Sequence, residues 1–435
     1  MSSQDPAPVR KEAKSSLGPV APGERLALLD ALRGFAVLAI LIANYDFGQI
    51  YFDVFPASEL DRLSHVLVDA LCRDKFWAFF ALLFGVGFGI QLERAESQGV
   101  SLLPTYLRRL AFLALIGCVL LPFIDVAVLL FLAIAGFPLL AVGCLLRRSS
   151  PKTILAAALI TMAAYQAVSI SDNLRRNGGL SGPPQVSSEE VASRIDAFRA
   201  ASDSEAVRST SWNLDQVGSR VLNMLRFYIA LPRILIDNRG KTVLAYLQFM
   251  LVGLFLWRLD LFRGAAGRSL LFRRLLTIGL PVGLAASVLV YHVDHQWALT
   301  QVGLGAYPSQ RMRVLFSPLH TMGTLGMDLV YLSGVAILMG SSISGRFSSV
   351  FAPVGRAALT NYALQALIPA LIFGHYFPGI QKETLGNLLC IGLLLTVFSL
   401  QVLFSRAWLR VFRFGPLEWL WRSLTYWRLQ PLRLS

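Results

Sequence analysis

Apolar residues in this sequence come in blocks of roughly twenty, the length that an α-helix needs to cross the hydrocarbon core of a bilayer. Of the 435 residues, 55% are hydrophobic and only 15% are charged. The candidate spans are residues 27–45, 76–92, 107–123, 126–146, 153–171, 242–257, 275–291, 314–340, 357–376 and 385–405. This pattern excludes a disordered chain and argues against a soluble one. It predicts an all-α polytopic membrane protein with about ten transmembrane helices.

The net charge of +14 could indicate a nucleic-acid-binding protein. In a chain this apolar, however, Lys and Arg more often orient helices, and here they concentrate in alternate connections between spans, for example Arg147, Arg148 and Lys152. The bias predicts that both termini are cytoplasmic. We therefore expect a multi-pass protein of the bacterial cytoplasmic (inner) membrane, with the lipid bilayer as its partner and no nucleic acid.

Polar stretches divide the chain into five predicted parts. Residues 1–25 form a disordered cytoplasmic tail, 26–171 an N-terminal membrane half, 172–241 an extracytoplasmic loop with an amphipathic helix, 242–405 a C-terminal membrane half, and 406–435 a basic, aromatic cytoplasmic segment at the interface.

Ionisable groups inside spans are costly unless they are paired or hydrated, so they are the first functional candidates. Asp30 and Arg33 share one face of the first span, and Asn44 lies eleven residues beyond Arg33. These residues could line a site. They could equally form a structural ion pair at the start of the helix and a cap at its end.

The eighth span carries Asp328 in mid-membrane and His320 eight residues earlier, on nearly the same face. His320 is a candidate base, although a lone histidine is more often a satisfied structural residue. His292 and His295 flank Asp294 without further ligands, so the sequence predicts no metal site there or elsewhere.

The ninth span opens with many hydrogen-bonding side chains: Arg356, Thr360, Asn361, Tyr362 and Gln365. Asn361 and Gln365 lie one turn apart on one face. Such residues most often join helices to each other, and the alternative is that they line a polar cavity.

The segment after the tenth span alternates Trp and Arg, as in a helix at the headgroup level of the membrane. Glu418 and Arg422 form an i, i+4 pair in it. Anchoring to anionic lipid explains most of this composition and leaves Glu418 unexplained.

Five separated stretches carry a resemblance to a known family. They are LDALRGFAVLAILIANYDFG from Leu29, DKFWAFFALLFGVGFGIQLERAESQG from Asp74, LQFMLVGLFLWRLDLF from Leu247, GRAALTNYALQAL from Gly355 and FRFGPLEWLWRSLTYWRLQPLR from Phe412. In this order they resemble the YeiB-like family of bacterial inner-membrane proteins, whose carboxy-terminal half is a domain of unknown function.

The opening stretch is also similar to the first helix of the heparan-α-glucosaminide N-acetyltransferases and, more loosely, to other transmembrane acyltransferases. Asp30, Arg33, Gly34, Asn44 and Tyr45 fit that motif. The resemblance implies acyl transfer from cytoplasmic acyl-CoA to an extracytoplasmic acceptor such as a sugar or envelope glycan.

One position departs from the acetyltransferase motif. Those enzymes have a catalytic histidine about eleven residues after the asparagine, and this chain has Phe55 there. Either His65, the nearest histidine, or His320 replaces the base, or the chemistry has changed or been lost.

The residues thus support two hypotheses of different classes. In an acyltransferase the catalytic candidates are His320, His65, Asn44 and Asp328, with acyl-CoA as co-substrate. The donor would bind to Asp30, Arg33, Arg356 and Arg422, and the acceptor to Asn361, Tyr362, Gln365 and Glu418. In a transporter or exporter of a small solute, Asp328, His320 and Asp30 would take part in coupling. A non-catalytic membrane partner and an oligomer also remain open.

Overall fold

The structure, a computed structural model, describes residues 26–44, 58–120, 128–176, 225–226, 229, 240–263, 265–301, 310–372 and 387–434. The predicted tail, nearly all of the predicted loop at 172–241, Tyr45 and Phe55 lie outside these residues, as does the side chain of Asn44.

The described residues form thirteen α-helices and hold no β-strand beyond an isolated antiparallel bridge between Phe412 and Arg433. The helices are α1 (Ala27–Asn44), α2 (Glu59–Leu71), α3 (Lys75–Gln98), α4 (Leu103–Leu120), α5 (Val128–Leu145), α6 (Pro151–Arg176), α7 (Lys241–Arg258), α8 (Ser269–Gln301), α9 (Gln310–Met339), α10 (Ser344–Arg356), α11 (Ala358–Ile372), α12 (Asn387–Val411) and α13 (Pro416–Tyr426).

Each predicted span coincides with one of these helices. Seven segments of the described chain are long and apolar enough to cross a membrane: Arg62–Gln98, Leu103–Leu120, Val128–Leu145, Pro151–Asp172, Ser269–Val293, Val314–Met339 and Ile391–Val411. Helices α1, α7 and α11 correspond to predicted spans but are not in that set. The all-α polytopic architecture is confirmed, and the number of crossings and the side of each terminus stay predictions.

Apolar side chains on the outside of the bundle fit a lipid environment. Ile160 on α6, Ile278 on α8 and Leu403 on α12 are each more than half exposed. In water such a surface would drive association, whereas in a bilayer it contacts acyl chains. The lipid bilayer is therefore the surroundings that this surface requires.

The centre of the bundle is the crossing of α3 and α7. A Cβ added at Gly85 would lie 1.9 Å from the carbonyl oxygen of Met250, and one added at Gly253 would lie 1.9 Å from that of Leu82. Each helix therefore presents a glycine to the backbone of the other, the small-residue packing typical of membrane helices. This close crossing fixes the position of α3, the helix along which the candidate site extends.

Candidate functional site

A second glycine-mediated crossing brings two separated sequence motifs together. A Cβ added at Gly34 of α1 would lie 1.9 Å from the carbonyl oxygen of Phe351, and one at Gly355 of α10 would lie 1.8 Å from that of Asp30. Because only glycine allows this approach, the LDALRGF and GRAALTNY motifs form one unit. Arg33 and Arg356, each adjacent to one of these glycines, then line the same cavity.

Helix α13 is joined to α11 by reciprocal capping of their N-termini. The Oε1 atom of Glu418 accepts hydrogen bonds from the backbone N–H groups of Leu359 at 2.5 Å and Thr360 at 3.1 Å. The Thr360 hydroxyl donates to Glu418 Oε2 at 2.6 Å and accepts from the Leu417 N–H at 3.1 Å. Each helix therefore receives its cap from a side chain of the other.

Gly415 is the residue that lets these two helix ends meet. A Cβ there would lie 2.2 Å from Glu418 Oε2 and 2.8 Å from Thr360 Oγ1. The capping explains the lone glutamate of the FGPLEWLWR motif, which composition alone did not. Burial raises the pKa of Glu418, while the hydrogen bonds from Thr360 and the backbone amides act in the opposite direction.

Capping also orients the aromatic and cationic side chains of α13. Trp421 donates from Nε1 to the carbonyl oxygen of Arg109 at 3.0 Å, and the guanidinium of Arg109 lies 4.1 Å from the centre of the Trp421 ring. Arg422 stacks on Phe414, 4.8 Å from its ring centre. Burial lowers the pKa of Arg422, as do the nearby charges of Arg109 and Arg33.

Glu93 holds in place two residues of the cavity lining, Trp257 and Arg263. Glu93 accepts from Arg263 at 2.9 Å through each carboxylate oxygen and from the Trp257 indole N–H at 3.1 Å. The Arg263 guanidinium also lies 4.7 Å from the Trp257 ring centre. Two arginines on different walls, Arg109 and Arg263, are thus each held against a tryptophan.

These walls enclose a cavity of about 400 Å³, within the range of small-molecule sites in proteins. Its charged lining consists of Arg33, Arg94, Arg109, Arg263, Arg356, Arg422, Asp30 and Glu418. Six cations therefore face two carboxylates. Arg33 lies 3.4 Å from Asp30, and Arg263 is bound by Glu93. Even with Glu93 counted, the arginines of the lining outnumber the carboxylates around them.

The cavity changes from cationic to apolar along α3. Arg94 and Phe80 both line it, and about 21 Å of helix axis separates them. Ile40, Leu83 and Leu132 line the same cavity. The Arg356 Nε atom and the Tyr362 hydroxyl are buried there without a hydrogen-bond partner among the described residues. An elongated ligand with anionic groups at one end and an apolar part at the other matches this lining.

The predicted bases lie near the N-terminal end of α3, away from the arginines. No histidine is among the described residues that line the cavity. His320 Nε2 is 3.5 Å from the carboxylate of Asp74, next to the start of α3. His65 is buried on α2, with its ring 6.4 Å from that of Tyr291. Asp328 is fully buried on α9. None of these three catalytic candidates lines the cationic cavity, and the side chain of the fourth, Asn44, lies outside the described residues.

Asn361 and Gln365 hold helices together. Asn361 Nδ2 donates to the carbonyl oxygens of Val354 and Ala357 and to Ser405 Oγ. Gln365 Nε2 donates to the Val37 carbonyl oxygen and to Gln401 Oε1. These bonds join α11 to α1, α10 and α12. Neither residue lines the cavity, and their predicted contact with an acceptor stays a prediction.

The cavity thus brings together six of the predicted site residues: Asp30, Arg33, Arg356, Tyr362, Glu418 and Arg422. The sequence reasoning missed Arg94, Arg109 and Arg263 as site residues. The concentration of basic residues on the cytoplasmic side already explained these three arginines, so no further role was predicted for them. One signal could have found Arg109: an arginine inside an apolar stretch calls for a buried partner.

Fold and site together define a polytopic membrane protein with an internal cavity lined by six arginines. Among the described residues no group of three or more His, Cys, Asp or Glu could hold a metal ion. Residues 256–428 match the family model "Protein of unknown function (DUF418)". This stretch includes α8 to α13 and three of the six cavity arginines.

Relatives extend the similarity to nearly the whole chain. "Uncharacterized protein YxaH" of Bacillus subtilis (strain 168) is 27% identical over 436 residues, which cover 96% of this chain and 98% of that protein. "Uncharacterized protein YeiB" of Escherichia coli (strain K12) is 29% identical over 420 residues, covering 92% and 96%. No solved structure matches the chain. The predicted resemblance to the YeiB-like family is confirmed. The similarity to acyltransferases stays a prediction, since none of these names states an activity.

Proposed function

We propose that the protein is a membrane acyltransferase that takes an acyl group from acyl-CoA in the arginine-lined cavity and delivers it to an acceptor at the opposite membrane face. With the predicted topology, in the cytoplasmic membrane of a bacterium, the donor enters from the cytoplasm and the acceptor is an extracytoplasmic sugar or envelope glycan.

The observation that carries this proposal is the polarity of the cavity. Coenzyme A has its phosphates at one end and its thioester at the end of a long, weakly polar arm. Arg33, Arg356 and Arg422 suit the phosphates, because a guanidinium makes paired hydrogen bonds with phosphate oxygens. The arm would then extend toward Phe80, about 9 Å of helix axis from Asp74.

His320 and Asp74 supply the chemistry that acyl transfer needs at that end. The acceptor hydroxyl or amine must lose a proton as it attacks the thioester carbonyl, and an imidazole is a suitable base. A carboxylate beside the ring orients it and stabilises its protonated form. His320 and Asp74 are 3.5 Å apart, a distance that closure around a substrate would shorten.

Binding of acyl-CoA is the first test. We expect saturable binding of acetyl-CoA or a longer acyl-CoA to purified protein by calorimetry, weakened by Arg33→Ala and Arg356→Ala. Arg346→Ala is the matched control, because Arg346 lies on the same helix as Arg356 but does not line the cavity. If well-folded wild-type protein binds no acyl-CoA, the proposal is wrong.

Transfer of the acyl group is the second test. Inverted vesicles that contain the protein should move label from acyl-CoA to an acceptor in the lumen. His320→Gln should abolish transfer and leave acyl-CoA binding unchanged. Full transfer by His320→Gln would remove His320 from the mechanism while leaving the donor site intact.

A transporter of an anionic solute is the second candidate, favoured by Asp328. Its carboxyl group is fully buried, and neither oxygen has a hydrogen-bond partner among the described residues. Buried carboxyl groups of this kind take part in proton coupling in transporters. Concentrative uptake by proteoliposomes without covalent change of the solute would select this function over acyl transfer.

A further inference from the structure

The middle of α9 contains a carboxyl group that does not line the cavity and that the proposed reaction does not use. Asp328 is 0% exposed, and both of its oxygens lack a hydrogen-bond donor among the described residues. An ionised carboxylate buried in this way would lose its hydration without compensation, whereas a protonated carboxyl group loses far less. The resting state of this group is therefore the neutral acid.

Lys75 is the charged neighbour of this carboxyl group, close enough to attract its negative charge. It is 5% exposed at the start of α3, and its ammonium donates to the Asp69 carbonyl oxygen at 2.9 Å. An ammonium beside the carboxyl group stabilises the carboxylate that remains when the proton leaves. Lys75 is thus a source of partial charge compensation for the ionised form of Asp328.

A stripe of buried hydroxyl groups leads from Asp328 toward His320 along α9. Thr324, one turn away, is 1% exposed with no hydrogen-bond partner among the described residues, and Thr321 follows at 7% exposure. Hydroxyl groups donate and accept at once, so with intervening water they can pass a proton. Ser333 lies on the other side of Asp328 and is also buried without a partner among the described residues.

We propose that Asp328 is a proton-exchange site that communicates with His320 through the Thr324 side of α9. When the proton leaves, the O–H bond of Asp328 breaks, its electron pair stays on the carboxylate beside the Lys75 ammonium, and a new N–H bond forms on the His320 imidazole. The reverse step restores the acid. Lys75 keeps its own protons throughout, and the proposal does not depend on which ligand the cavity binds.

Infrared spectroscopy of the purified protein tests this site directly. We expect a protonated-carboxyl band in the wild type that Asp328→Asn removes. Asp69→Asn is the matched control, since Asp69 is similarly buried but is bound by Arg73 at 2.6 Å and should contribute no such band. Absence of a band that depends on Asp328 in the wild type would overturn the proposal.

The route is tested by the rate at which this band shifts in deuterated water. Thr324→Val should slow the shift severalfold, and Ser333→Ala should leave it unchanged. The opposite result, slowing by Ser333→Ala alone, would show that the proton arrives from the cavity side and would overturn the route.

Lys75→Gln keeps the proposal testable if Asp328→Asn does not fold. The variant should retain the band and slow its exchange, because the carboxylate loses the ammonium that stabilises it. A band that is absent from the wild type and appears in Lys75→Gln would mean that Asp328 is ionised beside the lysine, which contradicts the proposal.

Discussion

The two ends of α3 carry charge in different ways. At the Gln98 end, arginines from several helices face a cavity and outnumber the carboxylates that line it. At the Lys75 end, charges of both signs are paired: Arg73 with Asp69 at 2.6 Å, and His320 with Asp74 at 3.5 Å. The first end therefore has an excess of cations over carboxylates, whereas most ionised groups at the second end are paired and the buried carboxyl group of Asp328 has no hydrogen-bond partner among the described residues.

This difference separates binding from proton chemistry. Like charges gathered around a cavity repel each other, so rigid packing must hold such an arrangement in place, and a bound anion would relieve the repulsion. At the other end, the His320–Asp74 pair and the buried carboxyl group of Asp328 are suited to hold and exchange protons. We therefore expect variants at one end to change affinity and variants at the other to change reaction or proton transfer.

The largest expected effect comes from breaking the crossing that assembles the cavity. Gly355→Ala would press a methyl group against the α1 backbone and should lower the free energy of unfolding by about 3 kcal/mol or more. Thermal unfolding in detergent measures the loss. Gly345→Ala, in the first turn of the same helix with nothing within 4 Å, should change the free energy of unfolding by less than about 0.5 kcal/mol. Equal effects of both variants would contradict the close crossing.

Arginine variants in the cavity should come next in size. Arg356→Ala should weaken acyl-CoA binding by about tenfold to a hundredfold, because one charged hydrogen bond contributes about 1.5–3 kcal/mol. Raising the salt concentration should weaken wild-type binding as well. An Arg356→Ala affinity equal to that of Arg346→Ala would mean that the cavity cations do not contact the ligand.

A smaller effect concerns the cap at Glu418 and has a defined sign with pH. Because burial raises the pKa of Glu418 above its ordinary value of 4.5, the folded state holds this proton more tightly than the unfolded state. Its contribution to stability is present below pH 4.5 and is lost as the pH rises through the raised value. As the pH rises through this range, the unfolding temperature of Glu418→Gln should therefore fall less than that of the wild type. If Glu418→Gln instead loses more stability than the wild type over this pH rise, the pKa of Glu418 is lowered by folding and the prediction is wrong.

The smallest effect on stability belongs to the paired end. Asp74 is about half exposed, so the His320–Asp74 pair contributes less than about 1 kcal/mol. His320→Gln should change the unfolding temperature little and leave acyl-CoA affinity unaltered. Weaker binding in this variant would show that the two ends of α3 are not independent.

Local sequence pattern predicted the helices well and the cavity in part. Every predicted span is a helix, because apolar blocks of this length have few alternatives in a bilayer. The cations beside Gly34 and Gly355 were also identifiable, because ionisable groups near apolar spans are conspicuous.

The remaining part of the site depends on which helices pack together. Arg109 enters the cavity because α13 packs on α4 through Trp421, a contact between residues far apart in sequence. The hydrophobic periodicity of a single helix does not show which other helix it contacts. Likewise, Glu418 acts as a cap for a helix other than its own, and motif spacing reveals caps only within one helix.

The reciprocal caps of α11 and α13 have a consequence for synthesis in the cell. The cavity uses α1, the first described helix to be made, and α13, the last. Arg33 therefore enters the membrane long before the ribosome has produced Trp421 and Arg422, which complete its surroundings. The cavity is incomplete on a partly synthesised chain, so the last helix must be in place before the cavity can bind the anionic ligand that we propose.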